Sequence, residues 1–417
     1  MPHDSNPQGV SVEAMEQYAL RAFFHDYCCA PINPTISRGF LGGLELMVHR
    51  QGIRSQVSKA CKAVAFASHG VKLSWPFLTR KAEELYQSLL LSLADAIRDP
   101  KVAVSTDTAV MTTLLGLYEM ISAGDSDPGH HHAHAGGLAA ILKIENDPLA
   151  LLTAVRGGHS LLSNTLQTPG IFSTPCHRGP GEDLDSLVLK LGPIIKASDD
   201  LSSLSLPSSL QMVNSLIEEA TALNHELRIW QETRSDDFKP TTLGYINTDS
   251  SSSNPEVGQW PGRVDSYFDY HVATIWNISR TARCFLLYLM IQLSDSTGMG
   301  DTLNYSIFQY DAQKQAEDLI ASVLYHFTED IQVFLRDKTT TPNPGRPAGG
   351  LLLMHPLYVL SRLPIIPIEM KEYLKKCLMW IGSHMGIGQA SLLAKSSHID
   401  QGYVTSGCMI IWAALLV

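Results

Sequence analysis

The segment 269–283 places two arginines and a tryptophan at helical spacing among apolar residues. Trp276, Arg280 and Arg283 follow one another at intervals of four and three residues, so a helix brings them to neighbouring positions on one face. A guanidinium group on a buried helix needs a partner, because an unpaired interior charge costs several kcal/mol. Two interpretations stay open: internal ion pairs with acidic side chains, or donors that face an apolar cavity and meet a polar ligand group. Three acidic side chains are candidate partners: Asp269, Asp318 and Glu329.

A second unusual stretch runs from 345 to 364. Paired glycines, Gly349 and Gly350, lead into a nearly uncharged apolar run. A helix that is apolar on all sides is typically buried, and glycine at its start permits close backbone approach to a neighbour. The stretch therefore predicts a central, enclosed helix over 348–364, which Pro356 is expected to bend or divide.

These two helices supply the candidate site. We expect an enclosed, mainly apolar cavity between the 266–293 helix and the central helix, on which His355 and Tyr358 lie three residues apart and face the same way. The candidate catalytic groups are His271, Arg280, Arg283, His355 and Tyr358. The candidate ligand contacts are Trp276, Asn277, Tyr118, His134 and Met354. The expected ligand is a small hydrophobic metabolite, and no cofactor is expected.

A histidine run at 130–134 is the pattern that suggests a metal. His130 and His134 lie one helical turn apart and could share an ion. No cysteine stands near them, and the closest carboxylates, Asp125 and Asp127, precede the predicted start of the helix. Because the ligand set is incomplete, no metal site is expected, and the run is interpreted as a polar helix start.

Composition narrows the class of protein. The 417-residue chain has a net charge of -10, and its longest basic groupings are the pairs 80–81 and 375–376. Direct nucleic-acid binding is not expected, because such surfaces need clustered Lys and Arg. Seven scattered cysteines are typical of reduced thiols in an intracellular protein. No apolar run reaches the roughly 18 to 20 residues of a membrane span, so we expect a cytoplasmic protein.

Apolar residues recur at helical spacing through most of the chain, and the fold class is predicted to be all-α. Short turns between successive helices predict a large array of antiparallel helical hairpins around the central helix. The predicted helices are 12–27, 55–68, 76–98, 107–123, about 129–145, 148–165, 183–197, 207–235, 266–293, 304–337, 348–364 and 370–394. The pair Asp127-Pro128 is read as a helix start. The apolar tail 408–417 is expected to fold back onto the body.

The chain is expected to form one domain. Residues 1–11 are predicted to be disordered and 12–417 to fold as a single helical unit. Proline, glycine and serine clusters predict the connecting segments. The expected loops are 166–182, 236–264 and 338–347.

Four stretches of the sequence carry a resemblance. They are Tyr118-Glu119 followed by His131, His134, Gly137 and Leu142; Ala154-Val155-Arg156; the run from Ile275 to Arg283; and Ala348-Gly349-Gly350 through Tyr358, with Ile381-Gly382 and 386–390 downstream. In this order they resemble the regulatory (middle homology) domain of fungal zinc-cluster transcription factors, in its second large subfamily. The resemblance spans roughly 20–395 and implies an all-helical, regulatory-type domain.

Two features depart from that family. His131 stands where the family usually has a tryptophan, and no six-cysteine zinc cluster precedes Cys28. The resemblance then implies a regulatory domain without the DNA reader.

Two functions are compatible with these observations. The preferred interpretation is a cofactor-free cyclase or pericyclase of the Diels-Alderase type in secondary metabolism, which needs only a shaped apolar pocket and a few fixed donors. It accounts for the missing zinc cluster and the missing basic run. The alternative is a transcriptional regulator or co-regulator of a biosynthetic cluster, located in the nucleus and acting through a DNA-bound partner. A homodimer or another partner protein is compatible with either function.

Overall fold

The computed structural model describes residues 11–33, 36–144, 184–202, 210–247, 255–296, 302–337, 341–396, 399 and 401–417. In the first half the helices are α1 (Val12–Tyr27), α2 (Leu44–Gln51), α3 (Gln56–Lys72), α4 (Pro76–Ala96), α5 (Pro100–Ala103), α6 (Thr106–Ser122), α7 (His131–Ile144), α8 (Leu184–Leu189), α9 (Leu191–Ser202) and α10 (Leu210–Glu232). A 3-10 turn (Asp236–Phe238) and strands β1 (Thr241–Ile246) and β2 (Gly262–Ser266) follow. The second half contains α11 (Tyr270–Ser296), α12 (Thr302–Ile320), α13 (Val323–Phe327), α14 (Ile331–Asp337), α15 (Pro347–Arg362), α16 (Ile368–Met385), α17 (Gly388–Lys395) and α18 (Gln401–Leu416).

The all-α prediction is confirmed. Consecutive helices pack as pairs, α3 with α4, α6 with α7, α11 with α12 and α15 with α16, because short connections leave each apolar stripe beside the next. Most of the buried apolar side chains of the described residues, from α1 to α18, form one contiguous cluster. That the chain is a single domain stays a prediction.

The segment 236–264, expected as a loop, contains part of a small antiparallel sheet. Thr241 lies opposite Ser266 and Ile246 opposite Gly262, with an irregularity after Thr242. Most β1 residues are exposed or half-buried, so the strand lacks the alternation that a one-sided sheet would show. The sheet is held instead by Val264, which packs in a small separate cluster with residues of α13 and α14.

Helix α15 is the centre of the array, as predicted. It contacts α1, α11, α13, α16, α17 and α18. It continues through Pro356 without being divided. Pro356 has no backbone N–H to donate, and packing against the surrounding helices compensates for this missing helical hydrogen bond. A Cβ atom on Gly349 would lie 2.1 Å from the His326 carbonyl oxygen, and one on Gly350 would lie 2.5 Å from the Met385 sulfur. The paired glycines therefore permit the close approach of α13 and α16.

Several predicted helix limits differ from those observed. The predicted 304–337 helix is three helices, and the 370–394 helix is two, divided where Gly386 adopts a left-handed conformation with φ 74°. Helix α2 was not predicted. The pair Asp127-Pro128 does not start α7: Asp127 forms a turn with Gly124 and accepts from the Gly129 amide at 3.0 Å. The predicted helix 148–165 and loop 166–182 lie outside the described residues.

The tail folds back onto the body, as expected. The Leu41 amide donates to the Ala414 carbonyl oxygen and the Gly43 amide to that of Val417, each at 3.0 Å. Ile410 packs on Gly116 of α6, where a Cβ would meet it at 2.5 Å. Helix α18 therefore completes the core between α6, α7 and α15.

Candidate functional site

Arg280 is the largest of the deeply buried side chains of the candidate site, at 2% exposure. It lies in α11, and one of its terminal nitrogens donates to Tyr267 Oη at 2.7 Å and to Asn277 Oδ1 at 2.9 Å. Its guanidinium carbon lies 5.7 Å from the ring centre of Tyr267 and 5.4 Å from that of Trp276. Neutral oxygens and aromatic faces therefore hold this charge.

Asn277 connects Arg280 to α13. Its amide nitrogen donates to Ser322 Oγ at 2.9 Å and lies 3.4 Å from His326 Nε2. The other ring nitrogen of His326, Nδ1, lies 3.1 Å from the Gly349 carbonyl oxygen. A carbonyl only accepts, so Nδ1 carries the proton and Nε2 is the acceptor. Burial lowers the pKa of His326 to about 3, and the Arg280 charge acts in the same direction, so the ring is neutral.

Two of the three acidic partners considered for the arginines, Asp318 and Asp269, are engaged elsewhere. Asp318 pairs with Arg263 at 2.9 Å. Asp269 accepts from the Ser37 hydroxyl and from the Val272 amide, the latter at 2.9 Å, which caps the start of α11. Among the described residues, no carboxylate forms an ion pair with Arg280 or Arg283. The ion-pair interpretation is therefore not what these residues show.

The Arg283 side chain makes no contact with the described residues of the Arg280 network and bonds to residues of α10 instead. Its Nε donates to Asn224 Oδ1 at 3.1 Å and a terminal nitrogen donates to Gln231 Oε1 at 2.8 Å. The Gln231 amide nitrogen in turn donates to Ser279 and Gln315, each at 3.1 Å. Burial lowers the pKa of Arg283. The two arginines thus belong to different polar networks, although both are held by neutral groups.

Trp276 lies between the Arg280 guanidinium and Trp230 of α10. Its indole nitrogen donates to the Phe238 carbonyl oxygen at 2.7 Å, and its ring centre lies 5.6 Å from that of Trp230. His271, which is fully buried, lies five residues before Trp276 on α11, a little more than one helical turn. Helix α11 packs directly against α15. An enclosed cavity between these two helices stays a prediction.

Tyr118 and His134 belong to a separate cluster around Glu119. The Tyr86 hydroxyl donates to Glu119 and lies 3.0 Å from His134 Nε2, while the Tyr86 and Tyr118 rings stack at 4.2 Å. The second oxygen of Glu119 accepts from the His130 amide at 2.8 Å and so caps the start of α7. Burial lowers the pKa of His134 to about 4, so its ring is neutral. Tyr86 carried no signal in the sequence, because its partners lie on other helices.

The candidates on the central helix contact different neighbours. His355 lies beside Gly407 of α18 and is 4% exposed. The Arg362 guanidinium carbon lies 5.2 Å from the ring centre of Tyr358. Met354 is fully buried. That His355 and Tyr358 line one cavity stays a prediction.

The described residues contain no group of three or more His, Cys, Asp or Glu side chains placed to hold a metal ion. The histidines at 131 and 134 instead contact Tyr403 and Tyr86. Through these hydrogen bonds the two histidines connect α7 to α4 and α18.

Comparison with known proteins gives one full-length relative. The chain is 50% identical over 422 aligned residues to transcription factor dbaG of Emericella nidulans, and the alignment covers 100% of each chain. The chain belongs to the family of that transcription factor. No protein-family model and no solved structure matches it. The 50% identical relative confirms the resemblance to a fungal transcription factor. The type of domain and the missing zinc cluster stay predictions.

Within the described helices, none combines the length and apolar character that crossing a bilayer requires.

Proposed function

We propose that the chain is a transcriptional regulator that binds a small metabolite at the Arg280 network and reaches DNA through a bound partner protein. The observation that carries this proposal is the Arg280 guanidinium, which is 2% exposed and held by the neutral oxygens of Tyr267 and Asn277. Kinship with a transcription factor supports the regulatory role. A nuclear location follows from the proposal.

The chemistry of this network selects the ligand. A buried guanidinium without a carboxylate is costly, so an anionic or strongly polarised oxygen that reaches it gains a charge-assisted hydrogen bond. The aromatic faces of Trp276 and Tyr267 favour an apolar body next to that oxygen. The ligand we propose is a hydrophobic metabolite with a carboxylate, enolate or phenolate head.

In this proposal the partner protein supplies the DNA-binding surface. With a net charge of -10, the chain has an unfavourable electrostatic interaction with phosphates. A partner that carries the basic surface removes this difficulty. The isolated chain should give no sequence-selective shift of promoter DNA, and its addition to the DNA-bound partner should supershift the complex.

Native mass spectrometry of protein purified from its own host tests the ligand. We expect a retained small molecule that is absent from Arg280→Gln and present in Arg98→Gln, whose arginine is exposed and lies on the surface. Arg280→Lys keeps the charge and loses the fork of donors, so it should retain less ligand than the unmodified chain. If Arg280→Gln retains as much of the small molecule as the unmodified chain does, the ligand does not bind at the Arg280 network.

A cofactor-free cyclase or pericyclase remains the second proposal, and the same observation favours it. A guanidinium held by neutral groups can polarise a carbonyl oxygen as charge develops, and the neutral His326 lies in the same network. The two functions separate in one comparison. Conversion of a polyene substrate by purified protein alone supports the enzyme, whereas a change in cluster transcription without any conversion supports the regulator.

A further inference from the structure

Three tyrosine rings lie between the Arg280 guanidinium and the protein surface. Tyr267, whose hydroxyl accepts from Arg280 at 2.7 Å, is buried. Its ring centre lies 5.4 Å from that of Tyr325, which in turn lies 5.5 Å from that of Tyr270, both in edge-to-face geometry. Tyr325 and Tyr270 are half-buried. The three rings therefore form a continuous series of contacts from the buried charge to solvent.

The other contacts of the Arg280 network lead to buried groups. Its remaining side chains are all buried, namely those of Trp276, Asn277, Ser322 and His326. On the α10 side, the contacts of Trp276 continue to Trp230, which is buried as well. On the α13 side, the His326 ring stacks on the half-buried ring of Tyr270 at 5.7 Å. Among the described residues, these contacts therefore come to the surface at the pair Tyr270 and Tyr325.

Tyr325 can move without unfolding the helix that carries it. The other four residues of α13 are buried and anchor its backbone; they are Val323, Leu324, His326 and Phe327. The Tyr325 ring itself packs edge to face against Tyr267 and Tyr270, and such aromatic contacts each contribute only modestly to stability. A change of side-chain rotamer therefore moves the ring while α13 keeps its place.

We propose that Tyr325 is the gate through which a ligand reaches Arg280. The inference rests on the ligand site proposed at the Arg280 network and adds the route to it. The ring closes the route in the structure and swings aside to admit the ligand, after which it shields the charged contact from water. Position 325 then determines how fast a ligand exchanges, whereas Arg280 determines how tightly it is held.

Arginine modification by phenylglyoxal tests the gate without any metabolite. The reagent is an apolar ring with two adjacent carbonyl groups that react with a guanidinium, and peptide mass spectrometry reports each arginine separately. We expect Arg280 to be protected in the unsubstituted chain and to react severalfold faster in Tyr325→Ala. Tyr325→Phe keeps the ring and should keep the protection. Tyr310→Ala, which removes an exposed ring from α12, is the matched control and should leave Arg280 protected.

Two other arginines serve as references in the same samples. Arg98 is exposed and should react in every variant. Arg234 is buried beside Trp230 and should stay protected. Equal reaction of Arg280 in the unsubstituted chain and in Tyr325→Ala, whether fast or absent, would overturn the gate. A rise at Arg234 as large as that at Arg280 would also overturn it, because the substitution would then have loosened the fold as a whole.

The experiment separates the gate from the ligand site. It uses protein that native mass spectrometry shows to be free of any retained molecule, since a ligand would itself protect Arg280. If Arg280→Gln retains the metabolite, the proposed ligand site is wrong, and the phenylglyoxal rates still show whether Tyr325 covers Arg280. If the metabolite is confirmed at Arg280 while Tyr325→Ala leaves the phenylglyoxal rate unchanged, the gate is wrong and the ligand site stands.

Discussion

The carbonyl oxygen of His326 lies 2.1 Å from the position that a Cβ atom on Gly349 would occupy. In return, the His326 ring donates to the Gly349 carbonyl oxygen at 3.1 Å. The start of the central helix and the short helix α13 are thus joined backbone to backbone, and the Asn277 amide meets the same histidine from α11.

The first prediction follows from that contact. Gly349→Ala should lower the free energy of unfolding by about 3 kcal/mol or more, because backbone on the other side cannot move away. Gly136→Ala is the control: Gly136 is exposed within α7 and has open space at its Cβ position. There alanine should stabilise by up to about 1 kcal/mol. Denaturant unfolding measures both, and equal stability of the two variants would contradict this contact.

Asn277 gives the second prediction. Asn277→Ala removes an acceptor of the Arg280 guanidinium and a donor to Ser322, so it should cost about 2–4 kcal/mol in the free energy of unfolding. Asn224→Ala should cost about 1 kcal/mol, since Arg283 keeps Gln231 and Asn224 is only half-buried. Urea unfolding monitored by tryptophan fluorescence compares them. If Asn277→Ala lowers the free energy of unfolding by less than Asn224→Ala does, the Arg280 network does not stabilise the fold as proposed.

Acid should destabilise the protein through its buried neutral histidines. Burial lowers the pKa of His134 to about 4 and those of His326 and His355 to about 3, against an ordinary value of 6.5. Between these values the unfolded chain binds more protons than the folded chain. Their contribution to stability is therefore complete above about pH 6.5 and is lost as the pH falls toward these depressed pKa values.

The slope of that pH dependence provides its measurement. Each such histidine contributes at most about 1.4 kcal/mol per pH unit, so His326→Gln should flatten the curve by up to this amount. Unfolding curves recorded between about pH 7.5 and 4.5 are sufficient. Asn224→Ala removes no titratable group and should leave the slope unchanged. An unaltered slope in the His326 variant would mean that this ring is already protonated in the folded protein.

Arg346 supports the fourth prediction. Its guanidinium donates to the carbonyl oxygens of His25 at 2.5 Å, Cys28 at 2.7 Å and Phe24 at 3.4 Å, and so caps the end of α1. Arg346→Met should loosen α1 and increase its cleavage by protease severalfold. Arg346→Lys should recover only part of the protection, because a single ammonium cannot serve three carbonyls as the fork does. Full protection in Arg346→Met would show that α1 is held by its apolar face alone.

The central helix was predictable because its signal is local. Paired glycines and an uninterrupted apolar run are legible in one stretch of sequence, and burial on all sides follows directly from them. The hairpin at β1 and β2 was not predictable, since its strands are short and neither shows a regular alternation of buried and exposed residues.

The candidate site was predictable only in part. Helical spacing correctly placed Trp276 beside Arg280, but it could not show that Arg283 turns to α10, because Asn224 and Gln231 determine that direction. Tyr267, Ser322 and the neutral ring of His326 were likewise missed, since each reaches the network from another element. Spacing along one helix reports which residues share a face and carries no information about what the opposite element offers.

The return of α18 to the segment around Leu41 and Gly43 has a consequence for biosynthesis. The amides of Leu41 and Gly43 donate to carbonyl oxygens at the end of α18, and Ile410 of α18 packs on Gly116 of α6. While the chain is being translated, the apolar surfaces of α6 and α7 that α18 covers therefore stay exposed until α18 has left the ribosome. We expect such a nascent chain to be prone to aggregation until α18 is available, and a product truncated before α18 to aggregate more readily than the full chain.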